Sequence, residues 1–247
     1  MTASAAERLR ALHHGPQPVI LPNVWDPVSA RAFEAAGFAA LATSSAAVAA
    51  TLGYADGQTP GEEMLAAVQR IAASVSVPVT ADIENGYGLA PAELVARLTG
   101  AGLAGCNLED SDPRSAQLAD PAGQADFLAA VRAAAGPELV LNARVDVFVR
   151  PAGRPGAALI GAAADRASQY LAAGADCAYP ILAPADALAE LVRRIPGPVN
   201  AMRMPGGPSL AELAATGVAR ITFGGGLHRQ ATELVRDMAA ELAAEIG

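Results

Sequence analysis

Val75-Ser76-Val77-Pro78-Val79-Thr80-Ala81-Asp82-Ile83-Glu84-Asn85-Gly86-Tyr87-Gly88 is the stretch on which the fold turns. Its first half is apolar and β-branched, the composition of a strand buried on both faces, as in parallel sheets covered by helices. Its second half places two acids where that strand runs out, and side-chain alternation sets Asp82 and Glu84 on one side. Two carboxylates aimed together repel each other unless a cation or a shared proton intervenes, and hard oxygen ligands suit Mg²⁺ or Mn²⁺. Taken alone, Asp-x-Glu also reads as an exposed acidic loop. The Gly-Tyr-Gly that follows permits a tight turn.

Outward from this strand the chain alternates short apolar runs with helical periodicity. Strands are expected at 19–25, 39–45, 77–84, 104–110, 139–146, 177–181, 198–203 and 220–224. Helices are expected at 28–36, 61–74, 91–101, 121–135, 157–173, 185–194, 209–215 and 227–245. Ala35-Ala36-Gly37, Gly100-Ala101-Gly102, Ala172-Ala173-Gly174 and Ala215-Thr216-Gly217 each sit just before a strand, where glycine after a helix begins a short turn. Eight βα units without a linker predict an α/β fold, a single (β/α)₈ TIM barrel domain over residues 1–247. An open doubly wound sheet is the alternative. No Gly-x-Gly-x-x-Gly follows the first strand, which weakens the dinucleotide-binding form of it.

Composition narrows the chemistry. Of 247 residues 52% are hydrophobic and only 4% aromatic, which favours many closely packed helices over an all-β fold. The net charge of −8 argues against a nucleic-acid or anionic-membrane partner. Residues 1–17 carry two arginines and two histidines without a long apolar core, so neither a signal peptide nor an anchor is expected and the cytoplasm is the expected location. Cys106 and Cys177 fall in apolar strands and are expected as free, buried thiols. All 17 basic residues are arginine, which excludes Schiff-base chemistry on a lysine amine and leaves guanidinium groups to bind carboxylates or phosphates.

In such a barrel the active site stands at the C-terminal ends of the strands. Those ends carry Asn23, Trp25 and Asp26; Thr43-Ser44-Ser45; Asp82 and Glu84; Asn107, Glu109 and Asp110; Asn142, Arg144 and Asp146; Tyr179; and Asn200. Each has an ordinary reading as well. Asn23 and Asp26 read as turn or cap residues, Trp25 as packing that also walls the pocket, and Arg144 as the partner of Asp146 or Glu109 in an internal ion pair. His228 reads as solvated or capping. Gly224-Gly225-Gly226, after the last strand, reads either as a phosphate cradle or as a turn into the last helix.

At these residues the sequence resembles the isocitrate lyase and phosphoenolpyruvate mutase superfamily. The resemblance is carried by Gly37-Phe38 leading to Thr43-Ser44-Ser45, by Leu52-Gly53-Tyr54-Ala55-Asp56-Gly57, by Ala81-Asp82-Ile83-Glu84-Asn85-Gly86-Tyr87-Gly88, by Asn107-Leu108-Glu109-Asp110 and by Asn142-Ala143-Arg144. It implies a barrel that binds a 2-oxo acid or its enolate on Mg²⁺, or on Mn²⁺. Asp82 would be the direct metal ligand, with Asp56, Glu84 and Glu109 holding metal-bound waters. The backbone around Ser44, Ser45 and Ala46 would take the substrate carboxylate and enolate oxygen, and Arg144 the group that leaves or migrates. Trp25, Asp56 and Asn200 complete the expected substrate contacts; Arg144, Ser44, Ser45 and Glu109 form the expected catalytic set. Many members carry glycine where this chain has Ser45.

Lyase members carry a Lys-Lys-Cys-Gly-His segment after strand four. Here 109–120 contains no Cys, His or Lys, and Arg114 and Ser115 are the nearest counterparts of the mutase loop. The expectation is a Mg²⁺-dependent lyase or mutase that makes or breaks a C–C or P–C bond beside the carbonyl of a small 2-oxo acid. Oxaloacetate decarboxylase-like or retro-aldol chemistry is preferred. Phosphonopyruvate hydrolase or phosphoenolpyruvate mutase-type activity is the alternative, and a non-catalytic 2-oxo acid-binding barrel the rival. The amphipathic end, 230–246, is expected to cover the barrel or to be exchanged between subunits of a homodimer or homotetramer, as the resemblance implies.

Overall fold

The computed structural model describes residues 3–112, 115, 117–151, 153 and 156–246. Its parallel strands pair in chain order and return to the first. β1 (Val19–Ile20 and Asn23–Val24, interrupted at Leu21-Pro22) pairs with β2 (Leu41–Thr43) through Asn23 and Ala42. β3 (Val79–Asp82), β4 (Gly105–Glu109), β5 (Val140–Val145) and β6 (Cys177–Pro180) follow in unbroken register. A single bridge, Ala178 to Val199, leads on to β7 (Asn200–Met202). β8 (Arg220–Thr222) then joins β7 on one side and β1 on the other. The result is the expected barrel, with every strand shorter than its apolar run.

The helices around it are α1 (Ala5–Leu12), α2 (Pro27–Ala35), α3 (Ser45–Leu52), α4 (Gly61–Ala72), α5 (Pro91–Gly100), α6 (Pro121–Ala135), α7 (Gly156–Ala172), α8 (Ala185–Arg194), α9 (Leu210–Ala215) and α10 (Gly226–Ile246). Gly37, Gly102, Gly174 and Gly217 all take positive φ, between 75° and 102°, as their positions after helices predict. Two helices were not expected. α3 begins where 39–45 was read as strand to its end, so β2 stops at Thr43 and Ser44 becomes an N-cap, its Oγ accepting from Ala47 N–H at 3.3 Å. α1 had a signal in Ser4-Ala5-Ala6-Glu7, a capping box in which Ser4 Oγ accepts from Glu7 N–H and the Glu7 carboxylate accepts from Ser4 N–H.

α1 closes the N-terminal end of the barrel. Leu9 packs among Val19, Leu21, Ala40, Ala42, Ala104 and Val140. A Cβ at position 105 would stand 2.5 Å from the Val140 carbonyl oxygen and 3.3 Å from Leu9, so only glycine lets helix and strands approach this closely. Arg10 anchors the helix, donating to Asp176 at 2.7 Å and to the Leu139 carbonyl at 2.8 Å. Arg132 reaches the same carboxylate from α6.

The barrel interior above this plug is polar. Arg220 is fully buried, donates to Asn107 Oδ1 at 3.3 Å, and has its pKa lowered by burial. Asn107 also accepts from Asn142 at 2.7 Å, and Asn200 accepts from Thr222 at 3.2 Å. Cys106 and Cys177 are free and buried, as expected. α10 leaves Leu234, Val235, Met238, Leu242 and Ile246 exposed. No helix among the described residues is long and apolar enough to cross a membrane.

The plug also contains a pH-sensitive group. His13 is buried, its Nδ1 facing the Leu9 carbonyl at 2.8 Å, and burial, with Arg220 adding, lowers its pKa to about 4. The unfolded chain therefore takes up a proton near pH 6.5 that the folded chain refuses, so stability is lost as pH falls from 6.5 towards 4. His13→Leu removes that difference. Between pH 7 and pH 4.5 the wild type should lose about 2 kcal/mol more stability than the variant, measured by urea unfolding at both pH values.

Candidate functional site

The carboxyl ends of the strands surround a cavity of about 170 Å³ lined by Ser45, Asp56, Gly57, Glu84, Glu109, Ser111, Arg144, Asp146, Val149 and Arg150. A larger groove of about 290 Å³ between α4 and α5 is crossed by the Arg97–Glu62 ion pair and is lined by no buried polar residue, so size alone does not locate the chemistry.

β3 ends at Asp82, and Glu84 lies beyond it, so strand alternation does not place the two acids together as expected; the turn does. Glu84, Gly86, Tyr87 and Gly88 all have positive φ, and for Glu84 (54°) and Tyr87 (56°) this is a strained conformation. The turn is tied to the next strand, where Glu109 N–H donates to the Glu84 carbonyl at 2.9 Å. Asp82 Oδ2 accepts from Ser45 N–H at 3.2 Å and from Ser45 Oγ at 2.8 Å, which joins β3 to the first turn of α3. Asp82 Oδ1 and Glu84 Oε1 are buried and accept no hydrogen bond. Burial first, then the Asp82 and Asp56 charges, pushes the Glu84 carboxyl up to about 7. Asp56, at the rim, is also raised, by burial and by Asp82.

Two strands further round the ring, Arg144 is held between two acids. Its Nη1 donates to Glu109 Oε2 at 2.5 Å, while Nε and Nη2 grip Asp146 at 2.7 and 3.0 Å. Burial opposes its charge, and Glu109 and Asp146 more than offset that, holding its pKa above the usual value. Burial pushes Glu109 up despite Arg144, with Asp146, Asp82 and Glu84 adding to the shift. Asp146 also accepts from Ser111 Oγ at 2.5 Å. Behind it, Asp110 is fully buried and accepts from Arg166 at 2.9 Å, from Tyr170 at 2.8 Å and from Asp146 N–H at 2.8 Å. Asp110 is thus a structural acid.

Of the residues singled out from sequence, Ser45, Asp56, Glu84, Glu109 and Arg144 line one cavity, and Asp82 is bonded to Ser45 at its edge. Ser44 caps α3 and Ala46 lies in its first turn, beside the cavity rather than lining it. Trp25 packs edge-on against His228, ring centroids 5.1 Å apart. Asn200 is wholly buried in the barrel interior and does not line the cavity. Gly226 opens α10, so the glycine triplet stands at the turn into that helix. Arg114 lies outside the described residues, and Ser115 accepts from Gln117 N–H at 3.4 Å. Ser111 and Arg150 were missed. Both lie past their strands, where periodicity carries no information.

Unpartnered buried carboxylate oxygens are what a hard cation relieves, and the donors here are all oxygens, so the chemistry suits Mg²⁺ or Mn²⁺. Among the described residues no three His, Cys, Asp or Glu side chains are grouped closely enough to form a ready-made shell. A cation here would complete its coordination with water, which Mg²⁺ retains readily.

Residues 9–243 match the family model described as phosphoenolpyruvate phosphomutase. An uncharacterised protein of Mycobacterium tuberculosis is 38% identical over 217 residues, spanning 86% of this chain and 80% of its own. Oxaloacetate decarboxylase of Rhodopseudomonas palustris is 34% identical over 185 residues, spanning 71% of this chain and 62% of its own. A solved structure from Burkholderia cenocepacia J2315, provisionally assigned as a phosphonomutase, superposes with a TM-score of 0.90 at 40% identity, covering 96% of this chain and 98% of its own.

Two acids of this region should respond oppositely to removal. Asp110→Ala leaves Arg166 and the Asp146 N–H without their buried partner and should cost about 3 to 5 kcal/mol. Glu84→Asn relieves both a positive-φ glutamate and an unpartnered buried carboxylate and should stabilise by about 1 kcal/mol. Urea unfolding without divalent cations measures both.

Proposed function

This chain belongs to the phosphoenolpyruvate phosphomutase family, and on that premise we propose that it is a lyase or mutase that cleaves or forms a C–C or P–C bond beside the carbonyl of a small 2-oxo acid. The observation that carries the reading is the pair of buried, unpartnered oxygens, Asp82 Oδ1 at the edge of the cavity and Glu84 Oε1 of a residue that lines it together with Arg144. Asp82 would hold Mg²⁺ or Mn²⁺ directly, with Asp56, Glu84 and Glu109 reached through water. When bound, the cation supplies electrophilic charge for the carbonyl oxygen of the substrate.

The chain's own groups do the rest. Breaking a bond beside a pyruvyl carbonyl leaves negative charge on oxygen, and that charge needs fixed donors. The first turn of α3 offers them. Ser45 N–H is bonded to Asp82 and Ala47 N–H to Ser44, so the Ala46 N–H between them is the donor left to meet an anionic oxygen, aided by the positive end of the helix. Arg144, fixed on two sides, sets a positive potential where the migrating or departing group lies without having to reorganise.

Decarboxylation or retro-aldol cleavage of an oxaloacetate-like substrate needs only these elements, and the R. palustris relative is named for the first of them. The P–C alternative is favoured by the 40% identical structure assigned to a phosphonomutase. Mg²⁺-dependent consumption of oxaloacetate and of phosphonopyruvate by the wild type decides between them. Asp82→Ala should lower the productive rate at least 10²-fold. If the wild type binds a 2-oxo acid and turns over neither compound, the protein is a binding barrel and the enzymatic reading is lost.

The exposed apolar face of α10, with Leu234 at 65% and Ile246 at 89% exposure, is proposed to be covered by a second copy of the chain in a homodimer or homotetramer. Leu234→Glu with Leu242→Glu should convert the assembly to monomers in sedimentation velocity. A wild type that already sediments as a monomer would refute this.

A further inference from the structure

Arg220 is the largest fully buried side chain among the described residues, and it takes part in no ion pair among them. A guanidinium does not shed its proton in a protein, so a full positive charge stands inside the barrel. Buried charges are held by a counter-charge, and one without it is strongly destabilising. Asp82 acts on Arg220 through space but makes no ion pair with it, and its Oδ2 is bonded to Ser45.

The topology shows where the charge lies. Arg220 is on β8 and Asn107 on β4, four strands apart in the ring of eight, so the 3.3 Å bond from Nη2 to Asn107 Oδ1 draws the guanidinium across the barrel interior. There Nε and both N–H groups of Nη1, three of its five donors, are buried without an acceptor. Asn200 is the register neighbour of Arg220 on β7, so the two side chains enter the barrel side by side. Asn200 Oδ1 accepts from Thr222 Oγ1 at 3.2 Å, which leaves Nδ2 as the amide's donor, and Nδ2 is likewise buried without an acceptor. Donors from two adjacent strands thus gather around one uncompensated positive charge. What they lack is an acceptor that is also negative.

We infer that the barrel interior binds one small monovalent inorganic anion, of the halide class, between Arg220 and Asn200, beneath the cavity at the strand ends and separate from it. The layer is sealed from solvent, which limits the guest to a small ion. Water would meet the same N–H groups, and would serve the unpartnered Asn142 Oδ1 of this layer as well, but it leaves the charge uncompensated. The donors come from separate strands and are assembled only when the ring closes, so the anion binds the folded chain alone and stabilises it by mass action.

Two measurements on the full chain test this. Crystals grown in bromide instead of chloride should show an anomalous peak within hydrogen-bonding distance of Asn200 Nδ2 and of Arg220 Nε or Nη1. In urea unfolding at fixed pH and ionic strength without divalent cations, about 0.1 M chloride should lower the unfolding constant about tenfold relative to the bulky sulfonate isethionate. Arg220→Met should abolish that dependence, and Asn200→Ala, which removes only a neutral donor, should weaken it. Where Arg220→Met does not fold, the bromide crystal and Asn200→Ala decide. Bromide crystals with only water beside Arg220, unfolding that is equal in the two salts, or a chloride dependence that Arg220→Met leaves unchanged each overturn the inference.

Discussion

The Arg144 guanidinium, gripped by Glu109 at the end of β4 and by Asp146 just past the end of β5, is the contact on which the mouth of the barrel depends. A buried cation is tolerated only with partners close by, and buried carboxylates only with donors. Asp110 completes the arrangement from behind, where its bond to the Asp146 backbone and its contacts with Arg166 and Tyr170 fix the segment that carries the second acid. Two strands, the 3₁₀ turn Asp146–Phe148 and α7 are thereby committed to the position of one side chain.

The asymmetry of the site follows from this commitment. All the strong internal pairing is spent on the β4 and β5 side. Among the described residues Asp82 accepts two bonds from Ser45, its Oδ1 and Glu84 Oε1 accept none, and the turn beyond it carries strained backbone at Glu84 and Tyr87. Such strain and unsatisfied charge persist only where the surrounding structure over-determines them, as here, where the strand below and the Glu109 backbone bond hold the turn from both ends. The consequence is a site with unpartnered carboxylate oxygens on its β3 side and an ion-paired arginine on its β5 side.

Beneath the cavity the barrel is filled by polar side chains rather than by the usual branched aliphatic layers. Arg220, Asn107, Asn142, Asn200 and Thr222 are buried within it, and an apolar cluster around Leu9 of α1 closes its N-terminal end. The two layers have different tasks. The apolar one drives closure of the ring by burial, while the polar one specifies how the strands are set against each other, because each of its bonds requires a particular register.

Much of this was legible in the linear chain. The eight apolar runs, the glycines at 37, 102, 174 and 217 and the acids at strand ends are local signals, because burial and turn geometry impose them residue by residue. The sequence alone therefore determined the fold class and that Ser45, Asp56, Glu84, Glu109 and Arg144 gather at one end of it. It did not determine that Glu84 reaches the cavity through a left-handed turn, that α3 begins at Ser45, that Asn200 is buried within the barrel, or that Arg144 pairs with both Glu109 and Asp146. Those facts depend on which charges become neighbours when residues far apart in the chain converge. Pairing energies between such residues have no periodicity to betray them, so only the tertiary structure could decide which charges are paired and which are not.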